Sequence, residues 1–124
     1  MLLVLADKDP YDLAALRSGL SAPDREIVEV RDGGNVVTLA HARGPDVVVV
    51  AASVGQMGGF AVSYELKTMA DQGKIKDPLV IVLLERSADA WLAGWSRCDA
   101  WRVKPADPAE IDEIIHDQLG ARFS

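Results

Sequence analysis

The chain has a single cysteine, Cys98, among 124 residues, which excludes an internal disulfide and fits a reducing compartment. It has no excess of basic charge. Its 13 Lys and Arg face 19 Asp and Glu, a formal charge of −6 at pH 7. Phosphate contacts need clustered Lys and Arg, so nucleic acid is not expected as a partner of this segment alone, and an acidic surface disfavours anionic membranes. No apolar run approaches the length of a membrane span. The start, Met1-Leu2-Leu3-Val4, has no basic leader and reaches Asp7 too soon for a signal peptide. Internal repeats, low-complexity segments and linkers are missing as well. Together these absences lead us to expect a cytoplasmic protein.

What is present is regular. With 49% hydrophobic and 26% charged residues, the chain reads as one globular domain over residues 1–124, with its core in 2–119. Apolar runs at Leu2–Ala6, Glu26–Val30, Val47–Ala52, Leu79–Leu84 and Ala100–Val103 read as five strands. Helical patterns alternate with them. Asp9 caps a first helix that has Pro10 at its opening and Leu13, Leu16 and Leu20 on one face. Asn35–Ala42 is a second helix, stopped by Gly44-Pro45, and Phe60–Met69 a third. Ala88–Trp95 behind Ser87 is the fourth. The fifth opens on Asp107-Pro108-Ala109-Glu110, similar to a capping box, and runs to Gly120. Alternating β and α units with wholly apolar strands predict a parallel sheet covered on both faces. Right-handed crossovers make it doubly wound.

Three segments carry a resemblance: Leu3-Val4-Leu5-Ala6-Asp7-Lys8-Asp9-Pro10, Pro45-Asp46 through Gly59-Phe60, and Ser96-Arg97-Cys98-Asp99-Ala100-Trp101-Arg102-Val103-Lys104-Pro105. In order and spacing they resemble the receiver domains of two-component response regulators. Gly55-Gln56-Met57-Gly58-Gly59-Phe60 is similar to that family's Pro-Gly-Met-Asp-Gly-Phe turn. The resemblance implies a flavodoxin-like sheet in strand order 2-1-3-4-5, with the pocket at the carboxyl ends of the strands. Another flavodoxin-like domain is the alternative. A flavin-phosphate loop after the first strand would want Ser, Thr and Gly, which Ala6-Asp7-Lys8-Asp9-Pro10 does not offer.

Carried over position by position, the family's chemistry is broken in this chain. Asp7 matches the first member of the acidic pair, but Lys8 stands at the second. The phospho-acceptor position falls on Ala51, whose methyl group cannot attack phosphorus. The switch hydroxyl falls on Leu83 or Val82, neither of which has one. The switch aromatic becomes Trp101, and Lys104 is retained. Counted over these positions, one carboxylate faces two ammonium groups, a formal sum of +1. Magnesium prefers carboxylates, so its loss as a cofactor is expected, and with it phosphorylation as the switch. Among substitute acceptors, Asp46 lies at the wrong end of its strand, Ser53 has no evident base, and His41 and His116 sit on helices as surface residues.

The expected function is therefore non-enzymatic. It is that of a receiver-like module that dimerises or binds a protein partner through its fourth helix, fifth strand and fifth helix. All three tryptophans, Trp91, Trp95 and Trp101, lie in that region. The i,i+4 spacing of Trp91 and Trp95 predicts that at least one of them is core. Trp101 fits equally as filler or as anchor. Two alternatives remain: a sensor of small anions through Lys8 and Lys104, and a receiver phosphorylated at a non-standard residue. For the two lysines an internal salt bridge with Asp7 is the simpler expectation. Cys98 reads as a small buried hydrophobe.

Overall fold

The computed structural model describes residues 1–54 and 57–123. Five strands, β1 (Leu2–Ala6), β2 (Glu26–Val30), β3 (Val47–Ala51), β4 (Leu79–Leu84) and β5 (Ala100–Val103), form one parallel sheet in the order 2-1-3-4-5. Between and after them run α1 (Pro10–Leu20), α2 (Gly33–Arg43), α3 (Gly59–Asp71), α4 (Ala90–Trp95) and α5 (Pro108–Phe123). No described helix is long and apolar enough to cross a membrane.

Strand alternation builds the two halves of the core. Leu3, Leu5, Val47, Val49 and Ile81 turn to one face, against Leu13, Leu16 and Leu20 of α1 and Ile111 and Ile115 of α5. Val4, Val48, Val50, Val80 and Val82 turn to the other, against Val36 of α2 and Val62 and Leu66 of α3. The central strands β1, β3 and β4 are buried throughout, so their wholly apolar composition is required. Each such Val, Leu or Ile contributes about 1.5–3 kcal/mol by leaving water.

The caps follow the sequence in part. The Asp9 side chain accepts from Tyr11 N at 2.9 Å and starts α1. Gly44, at φ 59, closes α2 in the left-handed conformation where a Cβ would be strained. α2 begins two residues before the predicted Asn35, because Asp32 caps it through its backbone carbonyl. The stretch before α4 is a 3-10 turn, Ser87–Asp89, and the α-helix proper is only six residues long. At α5, Asp107 accepts from Ala109 N, but Glu110 pairs with Arg102 instead of completing a capping box.

A buried network absent from the sequence reading pins the amino edge of the sheet. Lys67 of α3 has a side chain only 7% exposed. Its ammonium donates to Asp77 at 2.8 Å, Asp99 at 2.7 Å and the Pro78 carbonyl at 2.8 Å. Asp99 also accepts from Val80 N, so one carboxylate ties α3, β4 and β5 together.

Candidate functional site: the carboxyl-edge cleft

Because all strands run parallel, the residues just past β1, β3, β4 and β5 converge on one edge. Asp7, Lys8, Asp9, Asp12, Ser53, Glu85 and Lys104 line a cleft of about 260 Å³ there. Asp7 is 1% exposed. One of its oxygens accepts from Asp9 N at 3.0 Å and the other from Lys104 Nζ at 2.6 Å. Lys104 also donates to Asp12 at 3.0 Å and lies 3.5 Å from Glu85. Burial alone would lower the Lys104 pKa, but hydrogen bonds to Asp7 and Asp12 and the charges of Asp7 and Glu85 outweigh it and raise it.

Glu85 enters the cleft from the loop after β4 and accepts the Ser53 hydroxyl at 2.7 Å. That hydrogen bond, against a smaller burial penalty and with help from Lys104 and Lys8, holds its carboxyl below the usual range. Lys8 is exposed and makes no ion pair among the described residues. The expected internal salt bridge of Asp7 therefore forms with Lys104 and not with Lys8.

Ala51 ends β3 at 0% exposure, its methyl packed in the core on the α2–α3 face of the sheet. In the β3–β4 register its partner is Leu83, and the Ala52 N–H donates to the Leu83 carbonyl at 2.8 Å. In register the residue beside Ala51 is Leu83, and Val82 pairs with Val50. Gly59 opens α3 directly beneath, where a Cβ would come within 2.4 Å of the Ala51 carbonyl. Gly55 and Gln56, at the front of that turn, lie outside the described residues.

Three expectations need correction. The formal sum of +1 fails, because Asp9, Asp12 and Glu85 line the same cleft as Asp7: four carboxylates face two ammonium groups, a sum of −2. Asp12 sits one helical turn past the Asp9 cap and Glu85 two residues past Leu83, so both could have been placed by periodicity and offset. Ser53 does have a carboxylate beside it, Glu85. Neither Trp91 nor Trp95 is core. They are 71% and 54% exposed, since short α4 turns only Ala93 fully inward.

The tryptophans also divide. Trp95 stacks on Tyr64 of α3, ring centroids 4.9 Å apart and planes 14° from parallel. Trp91 lies one turn earlier on the same helical face. Trp101, 38% exposed, belongs instead to a groove of about 530 Å³ on the other side of α4, lined by Gly94, Cys98, Ile114 and Gln118. Cys98 is half-buried, its thiol donating to the Ala93 carbonyl and its pKa pushed up by burial. Among the described residues, no three His, Cys, Asp or Glu side chains are grouped to hold a metal ion.

No family model matches the chain. It is 30% identical over 99 residues to an uncharacterized response regulatory protein of Mycobacterium tuberculosis, an alignment covering 80% of this chain and 71% of the relative. Among solved structures it is similar to the receiver domain of a signal transduction histidine kinase from Syntrophus aciditrophicus. There the TM-score is 0.82 at 20% identity, over 97% of this chain and 90% of that one. It is also similar to the receiver domain of a Pseudomonas aeruginosa sensor histidine kinase with magnesium coordinated in its active-site cleft. That match has a TM-score of 0.81 at 16% identity, over 96% of this chain and 97% of that one. At these identities the two solved structures speak for the fold, which agrees with the strand order above.

Proposed function

The chain belongs to the response-regulator family, and we propose that it signals there through protein contact rather than through phosphoryl transfer. The observation that carries this is Ala51: a wholly buried methyl group at the end of β3, beside Leu83 in register. Neither a nucleophile nor a switch hydroxyl is available at that pair.

Magnesium has no ready seat in the cleft either. Occupied carboxylates and the like charge of Lys8 at the cleft both stand against it. Both Asp7 oxygens are taken, Asp12 and Glu85 are drawn to Lys104, and Asp9 caps α1. The Pseudomonas receiver holds magnesium in its active-site cleft; in this chain Asp7 is paired with the Lys104 ammonium at 2.6 Å. The same occupancy argues against an anion sensor, which would be left with Lys8 alone. We place the module in the cytoplasm as a non-enzymatic partner-binding or self-associating unit. Its contact surface is the face of α4, β5 and α5, where Trp101 lines an open groove.

Two experiments test this. Acetyl phosphate with magnesium should leave the protein mass unchanged. A stoichiometric adduct would overturn the proposal, and its mapping to Ser53, whose hydroxyl faces Glu85, would establish a non-standard acceptor. Trp101→Ala should weaken self-association or partner capture about thirtyfold, the effect of losing about 2 kcal/mol at an interface tryptophan. Sedimentation of folded wild type and variant in parallel reads it, and unchanged association would move the interface off this face.

A further inference from the structure

We propose that Glu85 is a charge-gated latch coupling the carboxyl-edge cleft to the aromatic face of α4. The inference extends the phosphorylation-independent reading, since it takes the cleft to be filled by the chain's own charges.

Glu85 is the first residue past β4 and lies two residues before the 3-10 turn that leads into α4. A single oxygen, Oε1, accepts from Ser53 at 2.7 Å and lies 3.5 Å from Lys104. One carboxylate thus joins the loops after β3, β4 and β5. Below it the backbone is secured strand to strand, with Ala52 N donating to Leu83 O and Lys104 N to Leu84 O, both at 2.8 Å. Beyond it the chain is held less firmly. Among the described residues Arg86 pairs locally with Asp89, and α4 fully buries Ala93 alone, with half-buried Ala90 resting on the core at its amino end. Its carboxyl end is anchored, because buried Ser63 donates to the Ser96 carbonyl at 3.0 Å. Among the described residues, the side-chain tether of its amino end to the cleft is Glu85. Released there and pinned at Ser96, α4 can pivot, carrying Trp91 and shifting Trp95 against Tyr64.

The gate is the charge of Glu85. Facing it are Ser53 from the β3–α3 loop, Lys104 from the β5–α5 loop and Lys8 from the β1–α1 loop. Asp7, Asp9 and Asp12 share the cleft, and Arg86 and Asp89 follow on its own segment. Two ammonium groups and a hydroxyl favour the carboxylate, so the latch is closed at neutral pH. It opens as acid protonates Glu85.

The test uses Glu85→Gln, which keeps the shape and removes the charge, and Ser53→Ala, which removes the donor. Both residues lie outside the core, so neither change touches its packing. At neutral pH, amide hydrogen exchange across α4 should rise about threefold or more in each variant. The near-UV circular dichroism of the Tyr64–Trp95 stack should weaken with it. Asp12→Asn removes another Lys104 partner without touching Ser53 or the loop after β4, and should leave α4 exchange unchanged. Wild-type exchange in both latch variants would overturn the proposal, and so would an equal rise in Asp12→Asn. Phosphate labelling of the wild type would sink the functional reading, whereas these exchange rates decide the latch in either case.

Discussion

Two lysines, one at each edge of the sheet, hold clusters of carboxylates, and the two clusters behave as opposites. At the amino edge Lys67 is 7% exposed and meets Asp77, Asp99 and a backbone carbonyl, so its three donor positions are used. At the carboxyl edge Lys104 is 14% exposed and meets Asp7, Asp12 and Glu85, but the last two are half-exposed and the cluster opens on a cleft. With all three donor positions of its lysine used, the amino-edge network fixes one arrangement of elements, although its Asp77 is 55% exposed. An open one keeps groups that can be exchanged, protonated or moved. Lysine–carboxylate clustering by itself therefore does not mark a functional site; water access and the presence of loop residues do.

The largest expected effect separates the two edges by stability. Lys67→Ala removes a nearly buried ammonium from Asp77, Asp99 and the Pro78 carbonyl, leaving Asp99 its hydrogen bond from Val80 N, and should cost about 3 kcal/mol, as breaking a buried pair does. Lys104→Ala leaves Asp7 its hydrogen bond from Asp9 N and admits water through the cleft, so about half that loss is expected. Urea unfolding of the two variants makes the comparison. Equal losses would break the distinction between a closed and an open edge.

A second expectation sharpens the carboxyl edge. Ala51→Asp alone restores a carboxylate at the end of β3 but leaves Lys8 at the cleft mouth. A unit charge about 4 Å away counts for about 4 kcal/mol at an intermediate dielectric. Adding Lys8→Asp should therefore tighten magnesium binding by at least about tenfold over the single variant. Calorimetric titration with magnesium chloride reads the ratio. Equal affinities would mean that occupancy by Lys104 alone keeps the ion out.

How much of this was legible in the sequence follows from the range of each signal. The strands stand where the apolar runs put them, because burial on both faces of a central strand leaves no other composition. Asp7, Ala51 and Lys104 were placed by the resemblance to the receiver family, whose motifs stand at strand ends and are a local signal. Glu85 and Asp12 were missed because their importance comes from Lys104, 19 and 92 residues away in sequence. Lys67 was missed for a similar reason: it shares a buried stripe with Val62 and Leu66, and only the fold brings it to Asp99. The tryptophans misled by size. Large apolar residues at helical spacing normally face inward, but α4 is too short and too close to the sheet for anything larger than Ala93.

The smallest expected effect concerns acid, and it tests whether the amino edge is closed everywhere. Asp46, just before β3, accepts from Leu2 N at 2.7 Å and from Lys76 at 2.6 Å. Burial would raise its pKa from the ordinary 3.8, but the hydrogen bonds from Lys76 and Leu2 prevail and lower it. A group held below its unfolded value contributes stability above that value and loses it as pH falls through the folded one. Asp46→Asn keeps an oxygen for Leu2 N but removes the charge that Lys76 meets. Because Lys76 is more than half exposed, the cost at pH 7 should be only about 0.5 kcal/mol. The wild-type advantage should then shrink as the pH falls below 3.8 and vanish once the carboxyl is protonated. Unfolding curves of both proteins from pH 7 down to the acid limit give the difference directly. An advantage that persists into acid would show that the backbone hydrogen bond, and not the charge, is what Asp46 contributes, and this part of the amino edge would then be as indifferent to protons as a purely apolar contact.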